Sequence, residues 1–243
     1  MPSNTLKRDD LMAKCRQRVD MTNSKFVTDL ELIGYINLAM ADLHDILVTS
    51  YEDYYISDTD YAVPGSNPGT LPADFYKALG VDLSMNGSFD GSSITYRLRP
   101  YSFQERNAYS NPLMTAAVFT NTFYNIRGNE IHFIPNPTVG GVIRLYYIPE
   151  ASYFVEDMSL PEYNKEIKDI APAVAIGWEE FLILSTCVKM VMKEEGDPSA
   201  LYKLLGDVRK RLMVVTQNKD AGESTSISDV TTGTFQRNYI NWM

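Results

Sequence analysis

The chain has 243 residues, of which 44% are hydrophobic and 12% aromatic, and this composition excludes an intrinsically disordered protein. Its formal net charge of -9 disfavours binding to duplex nucleic acid by phosphate neutralisation, because that interaction needs clustered Lys and Arg. The polar first ten residues do not have the apolar run of a signal peptide, so we expect the protein to remain where it is made. Its most apolar stretch, residues 171–192, is broken by charged residues, so no membrane-spanning segment is expected.

The first fifty residues predict two helices. Thr28 and Glu31 are spaced as a capping box, and apolar residues follow at helical intervals, which predicts a long helix over residues 28–49. A shorter amphipathic pattern over residues 12–19 predicts a helix before it. Residues 1–50 are therefore expected to form an N-terminal helical hairpin.

The middle of the chain predicts strands. From Tyr51 onward the sequence becomes rich in Tyr, Pro, Gly and Asn with alternating apolar residues, which predicts an inserted β-rich domain over residues 51–160. The dipeptides Asn86-Gly87 and Gly128-Asn129 can adopt the positive φ values that tight hairpin turns require. A further strand is predicted over residues 142–148, and together these strands are expected to form one small antiparallel sheet.

Helical patterns resume after Pro161, and residues 161–219 are expected to pack on the N-terminal hairpin. Residues 171–195 predict one long helix. Gly196-Asp197-Pro198 ends that helix and caps the next one. The predicted buried stripe of this last helix consists of Leu201, Leu204, Leu205, Val208 and Leu212. The run 209–211, Arg-Lys-Arg, is a candidate contact for an acidic neighbour.

The C-terminal residues 220–243 are rich in Ser, Thr and Gly and show no core-forming periodicity. This segment nevertheless ends with four large apolar side chains, namely Phe235, Tyr239, Ile240 and Trp242. A segment too polar to fold alone needs a partner to offset its ordering entropy, so we interpret it as a docking arm. The predicted fold is therefore α+β, a helical bundle with an inserted small antiparallel β-sheet domain and an extended C-terminal arm.

Motifs for catalysis and metal binding are weak. Asp82, Ser84, Asn86 and Gly87 match four places of a calcium loop, but Ser93 stands where a bidentate Glu is needed. The two histidines have no second ligand at metal-binding spacing, and the two cysteines lie in helical patterns typical of buried structural thiols. We predict no enzymatic activity, no catalytic residue, no cofactor and no metal.

Tyrosines cluster in two places, and the candidates for an inter-subunit or tail interface are Tyr51, Tyr54, Tyr55, Tyr146 and Tyr147. Tyrosine supplies broad contact area at low rotamer cost, which favours an interface. Strand propensity explains the same residues as parts of a sheet core, and a sugar-binding platform is a third interpretation. The sequence leaves these three alternatives open.

Six short segments, taken in order, carry a resemblance to a known family. They are 71–75 (Leu-Pro-Ala-Asp-Phe), 103–106 (Phe-Gln-Glu-Arg), 131–135 (Ile-His-Phe-Ile-Pro), 145–147 (Leu-Tyr-Tyr), 178–180 (Trp-Glu-Glu) and 196–198 (Gly-Asp-Pro). Over roughly residues 28–217 the chain resembles the head-to-tail adaptor (connector) proteins of tailed bacteriophages. It is most similar to those of short-tailed phages, which are called tail tubular protein A or tail accessory factor.

The resemblance implies a structural virion protein at the head–tail junction, made and assembled in the bacterial host cytoplasm. Its copies would form a ring, commonly of twelve, beneath the portal protein, and the β-rich part would face the tail nozzle or tail tube. The arm would reach the portal, with Phe235, Tyr239 and Trp242 as anchors. DNA would pass through an acidic lumen without sequence-specific binding. No membrane is implied.

Two alternatives to the adaptor remain at this stage. The nearer one is a tail-side or stopper component of the same particle, which would contact the adaptor instead of the portal. The other belongs to a different class, a carbohydrate-binding or hydrolytic accessory protein that would use the tyrosine-rich sheet.

Overall fold

A computed structural model describes residues 7–22, 26–63, 65–85, 87–89, 93–109, 122–135, 141–151, 153–155 and 177–217. The helices are α1 (Arg8–Arg18), α2 (Asp29–Ser50), α3 (Arg106–Tyr109), α4 (Glu179–Lys193) and α5 (Ser199–Gln217), with short 3₁₀ turns at Glu52–Tyr54 and Phe103–Glu105. The strands are β1 (Ser57–Val63), β2 (Gly69–Thr70), β3 (Phe75–Ser84), β4 (Thr95–Arg97), β5 (Arg99–Pro100), β6 (Phe123–Arg127), β7 (Glu130–Ile134) and β8 (Gly141–Pro149).

Helix α2 forms where the capping box predicted it. The amide of Glu31 donates to the Thr28 hydroxyl at 3.3 Å, and the Glu31 carboxylate accepts from the Thr28 amide at 2.9 Å. Two of the amides that a helix start leaves unpaired are thereby satisfied. The prediction of a long helix over residues 28–49 is confirmed.

Helices α1, α2, α4 and α5 share one hydrophobic core. Helix α4 lies at its centre, because α1, α2 and α5 all pack on it, and α1 contacts α4 more than it contacts α2. The fully buried side chains of this core include Leu11, Leu32, Ile36, Leu43, Leu47, Leu182 and Leu212. Among the described helices, α2 is long and apolar enough to cross a membrane by length and composition. A helix that packs in a protein core can have that same composition, and half of the apolar window of α2 is buried.

The strands form two sheets where the sequence predicted one. The first sheet has the order β1-β8-β3-β4 and is antiparallel throughout, whereas the second has the order β2-β7-β6-β5 with a parallel β5–β6 pair. Two sheets form because β8 pairs with both β1 and β3 in the first sheet, whereas the β6–β7 hairpin pairs with the short strands β2 and β5 at its two edges. Side chains from both sheets, including Leu83, Ile131, Phe133 and Ile143, bury one another in a second hydrophobic core.

The two predicted hairpin turns have different outcomes. Gly128-Asn129 is a two-residue turn between paired Arg127 and Glu130, and Gly128 has the positive φ of 57° that such turns require. Strands β3 and β4 also pair and Gly87 has the predicted positive φ, at 75°, but the connection spans residues 85–94 and is longer than a two-residue turn. The hydroxyls of Ser88 and Ser93 bond at 2.8 Å within this longer loop.

Three local predictions need correction. Helix α4 begins at Glu179 and not near residue 171, because Gly177 has a φ of 85° and Trp178 is not helical; residues 171–176 lie outside the described residues. The sequence 102–107 predicts a short helical turn capped by Ser102, and the turn is present at Phe103–Glu105, but the Ser102 side chain makes no capping bond. In α5, Leu212 is buried and Leu201, Leu205 and Val208 are partly buried, whereas Leu204 is exposed.

Helix α5 begins as the sequence predicted. The carboxylate of Asp197 accepts from the amide of Ser199 at 2.9 Å, which satisfies one of the first amides of this helix. The pKa of Asp197 is lowered because Ser199 donates to its charged form.

Candidate interaction surfaces

A cluster of aromatic side chains joins the helical core to the sheets. We call it the junction cluster and define it as His44, Tyr54, Tyr55 and Tyr76. The His44 ring stacks on Tyr55 with centroids 5.9 Å apart and meets the Tyr76 ring edge-on at 5.5 Å. Tyr54 lies edge-on to Tyr55 at 4.7 Å. Because Tyr76 belongs to β3 and His44 to α2, the cluster fixes the end of the helix against the first sheet.

His44 makes the main polar contact of the junction cluster. Its Nε2 lies 3.0 Å from the carbonyl oxygen of Pro149 at the end of β8, so Nε2 carries the proton and donates it. The ring is 2% exposed, and burial lowers the pKa of His44, although the Pro149 carbonyl and the carboxylates of Asp45 and Glu150 oppose that shift. The histidine is therefore neutral in the folded subunit at neutral pH.

The lowered pKa of His44 makes stability depend on pH. In the unfolded chain this histidine takes up a proton as the pH falls through about 6.5, whereas in the folded chain it does so only at lower pH. The contribution of neutral His44 to the free energy of unfolding is thus complete above about pH 6.5. It decreases as the pH drops from there to the pKa of His44 in the folded chain. We expect the urea midpoint of the natural chain to fall over this range relative to that of His44→Gln. A constant difference between the two midpoints across the range would contradict this assignment.

The structure separates the predicted interface tyrosines. Tyr54 and Tyr55 are half-buried in the junction cluster, and burial raises the pKa of the Tyr55 hydroxyl. Tyr51 is half-buried at the end of α2, and Tyr146 is half-buried on β8. Tyr147 is 5% exposed, packs in the sheet core and donates to Asp74 at 3.0 Å. Burial leaves Tyr147 little surface for a partner.

The predicted arm residues Phe235, Tyr239, Ile240 and Trp242 lie outside the described residues. Their role as portal anchors stays a prediction.

Helix α2 carries an exposed apolar groove that sequence reasoning missed. The groove has a volume of about 540 Å³, and its lining includes Gly34, Leu38, Ala41 and Tyr153. Leu38 is 55% exposed and Tyr153 is 52% exposed. The signal in the sequence is the spacing 34, 38, 41, which places these residues on one side of a helix whose opposite side is the buried stripe.

The side chain of Asn37 fixes the segment that forms one wall of this groove. Asn37 donates to the carbonyl oxygen of Phe154 at 3.0 Å and accepts from the Phe154 amide at 2.8 Å. The Phe154 ring is buried in the helical core. The chain beyond β8 is thereby fixed against α2, and Tyr153 forms one side of the groove.

Helix α5 carries the second exposed apolar surface, after the groove on α2. Leu204 is 44% exposed and Val215 is 51% exposed, and Arg211 lies between them on the same side of the helix. The guanidinium of Arg211 is 5.8 Å from the centre of the Trp178 ring, which is within range of a cation–π contact. The exposed side chains of Lys203, Asp207 and Lys210 lie on the next side of the helix, with Asp207 closest to this face.

The two helices carry opposite charge. Helix α2 contains four acidic residues and no Lys or Arg, whereas α5 contains four basic residues and one acidic residue. Some charges on α2 are paired within the subunit: Glu31 bonds Lys193 at 2.7 Å, and Asp42 bonds Lys189 at 3.3 Å. The bonds from Lys193 and Thr28 lower the pKa of Glu31 to about 2, so Glu31 stays charged at neutral pH.

Both cysteines are free and buried, as the sequence predicted. The thiol of Cys187 donates to the carbonyl oxygen of Cys15 at 3.5 Å, which links α4 to α1. In the part of the chain that the structure describes, no group of three His, Cys, Asp or Glu side chains could hold a metal ion.

The comparison with known families identifies the chain. The family model described as SU10 adaptor protein matches residues 7–178, which include α1, α2 and all the strands of both sheets. The chain belongs to the SU10 adaptor family. A search among curated proteins found no match. This family match confirms the resemblance to phage head-to-tail adaptors that the sequence showed. An SU10 adaptor is a structural protein of the virion, located at the head–tail junction, where it interacts with portal and tail components.

Proposed function

We propose that copies of this SU10 adaptor form a ring beneath the portal, extend the DNA conduit and provide the attachment site for tail components. The observation that carries this proposal is the family match over residues 7–178. By the resemblance to adaptors of short-tailed phages, the ring has twelve copies, and its tail-side partner is the nozzle or tail tube protein. Assembly takes place in the host cytoplasm.

The two hydrophobic cores of the subunit support a connector role. The helical core and the sheet core are joined through the junction cluster, where His44 bonds Pro149. A subunit built from two bodies can present one of them to the portal and the other to the tail. The fixed contact between the bodies would keep these two attachment surfaces in register around the ring.

The net charge also fits a conduit. At -9 per copy, a ring of subunits surrounds the DNA with negative charge and offers few phosphate-neutralising contacts. DNA would therefore move through the ring without being held. Sequence-specific recognition of DNA has no part in this proposal.

Residues 220–243 supply the portal contact in this proposal. The anchors are the rings of Phe235, Tyr239 and Trp242, and Ile240 adds apolar area. Buried aromatic anchors are typically worth about 2 kcal/mol or more each at an interface. A contact of that size, repeated around the ring, would attach the adaptor stably although each arm is short.

Binding to purified portal protein of the same phage tests this proposal. We expect the full-length chain to be retained by immobilised portal and a version ending at Asp220 to lose at least about tenfold in affinity, because about 1.4 kcal/mol corresponds to a factor of ten. A full-length variant with Phe235, Tyr239 and Trp242 changed to Ala controls for chain length and should behave like the truncated chain.

Two results would count against the proposal. Portal binding that survives truncation would remove the arm from its assigned role. Binding of the full-length chain to tail tube protein but not to portal would favour a tail-side component. Native mass spectrometry of the isolated chain should show mostly monomer, and stable rings formed without portal would contradict the need for a partner.

A further inference from the structure

The outer faces of α2 and α5 are complementary in shape and charge. We infer that the outer face of α5 in one copy packs into the apolar groove on α2 of the next copy. This inference rests on the proposed ring and names the surfaces that close it. The contact is heterologous, with two different faces meeting, and a heterologous contact is the kind that generates rings.

The groove on α2 has room for a helix. At Gly34 an added Cβ would have no atom within 4 Å, so the backbone there is open to close approach. Ala41 keeps the groove shallow two turns further along, and Leu38 lies between them. A pair of small residues around a larger apolar one lets a neighbouring helix come close and still bury apolar area.

The face on α5 supplies a matching ridge. Leu204, Arg211 and Val215 follow one another at intervals of seven and four residues, so they line one side of the helix. Leu204 and Val215 are apolar and about half exposed in the single subunit. Packing them into the groove would remove both from water.

The opposite charges of α2 and α5 favour a second copy of the chain as the partner that fills the groove on α2. Copies of a chain with a net charge of -9 repel one another, so their contact needs a local patch of opposite charge. Helix α5 provides that patch with Arg211 on the ridge itself and with the exposed Lys203 and Lys210 on the next side of the helix, where Asp207 is the one acidic residue of α5.

Helix α2 provides the acidic side with Asp45, which is 66% exposed and lies one turn beyond Ala41 on the line of Gly34 and Leu38. Asp42 and Asp45 also border a pocket that Arg209 of α5 lines in the same subunit.

Cross-linking between introduced cysteines tests the contact. The double variant Leu38→Cys, Val215→Cys carries one thiol on each face, and the natural Cys15 and Cys187 are fully buried and protected from reagent under native conditions. With a short bis-maleimide, on portal-bound protein, we expect the double variant to give a ladder of covalent oligomers that ends at the ring. Each single variant should stay monomeric. A mixture of the two single variants should give a covalent dimer and nothing larger.

Blocking the groove provides a second test. Gly34→Phe places a ring where the α5 ridge would lie, in open space, so the subunit should still fold with an unchanged melting temperature. We expect it to lower cross-linking of the double variant at least tenfold. Gly34→Ala adds only a methyl group and is the matched control, which should retain most cross-linking.

The outcomes separate this inference from the function it rests on. If native mass spectrometry shows a portal-bound ring but the double variant does not cross-link, the assigned surfaces are wrong and the ring proposal stands. Cross-linking of Leu38→Cys with itself would show a symmetric contact and would also overturn the inference. If the unmodified chain does not bind portal, the proposed function fails, and the inference fails with it.

Discussion

Leu43→Ala is expected to destabilise the subunit by about 2–5 kcal/mol. Leu43 lies in the middle of α2, is fully buried and belongs to the helical core that α1, α4 and α5 complete. Removing its side chain takes apolar area out of the core and leaves a cavity that the surrounding helices can fill only in part. Urea unfolding followed by circular dichroism measures the change.

Leu38→Ala on the same helix is the matched control. It makes the same chemical change and the same small change in helix propensity, but Leu38 is more than half exposed. A change of less than about 0.5 kcal/mol is expected for the isolated subunit. Similar losses at the two positions would mean that the outer face of α2 is covered in the free protein, contrary to the structure.

Asn37→Leu should also weaken the subunit strongly. Asn37 satisfies both the amide and the carbonyl of Phe154, and leucine leaves those two groups without their partner. An unsatisfied buried polar group costs about 1–3 kcal/mol. We expect a loss of that order or more in urea unfolding, together with faster hydrogen exchange of the Phe154 amide.

Asn37→Asp distinguishes this explanation from a simple loss of packing. The carboxylate can still accept from the Phe154 amide but cannot donate to its carbonyl oxygen. Its stability should therefore lie between those of the natural chain and Asn37→Leu, with the Phe154 amide still protected. Unchanged exchange of that amide in Asn37→Leu would show that the two bonds do not hold the segment.

Local features of the fold could be predicted from the sequence. Thr28 and Glu31 determine where α2 begins, and Gly128-Asn129 determines a turn, because in each case the interacting groups lie within a few residues of one another. The pairing of β1 with β8 could not be predicted, since Asp60 meets Arg144 only when distant strands come together. A strand pattern predicts that a strand exists but not which strand it pairs with. For this reason the sequence predicted one sheet where the structure has two.

The candidate surfaces were predicted less well, for a related reason. Alternation along β8 predicts that Tyr146 and Tyr147 face opposite sides, but only the position of the second core decides which ring is buried. In α5 the periodicity predicts a buried apolar stripe that includes Leu204. Leu204 is nevertheless exposed, because the helical core covers only part of that stripe. The groove on α2 depends on Tyr153, which reaches the helix through the Asn37 contact and has no local sequence signal.

The helical core draws on both ends of the described chain, from Leu11 to Leu212. A ribosome working from the amino terminus releases all the strands of both sheets before the last two helices emerge. During that interval the apolar sides of α1 and α2 have no α4 to pack on, so host chaperones would find their binding sites there. A premature stop in the message ahead of Glu179 would remove α4 altogether, so the apolar sides of α1 and α2 would stay exposed and the fragment would be prone to aggregation and proteolysis.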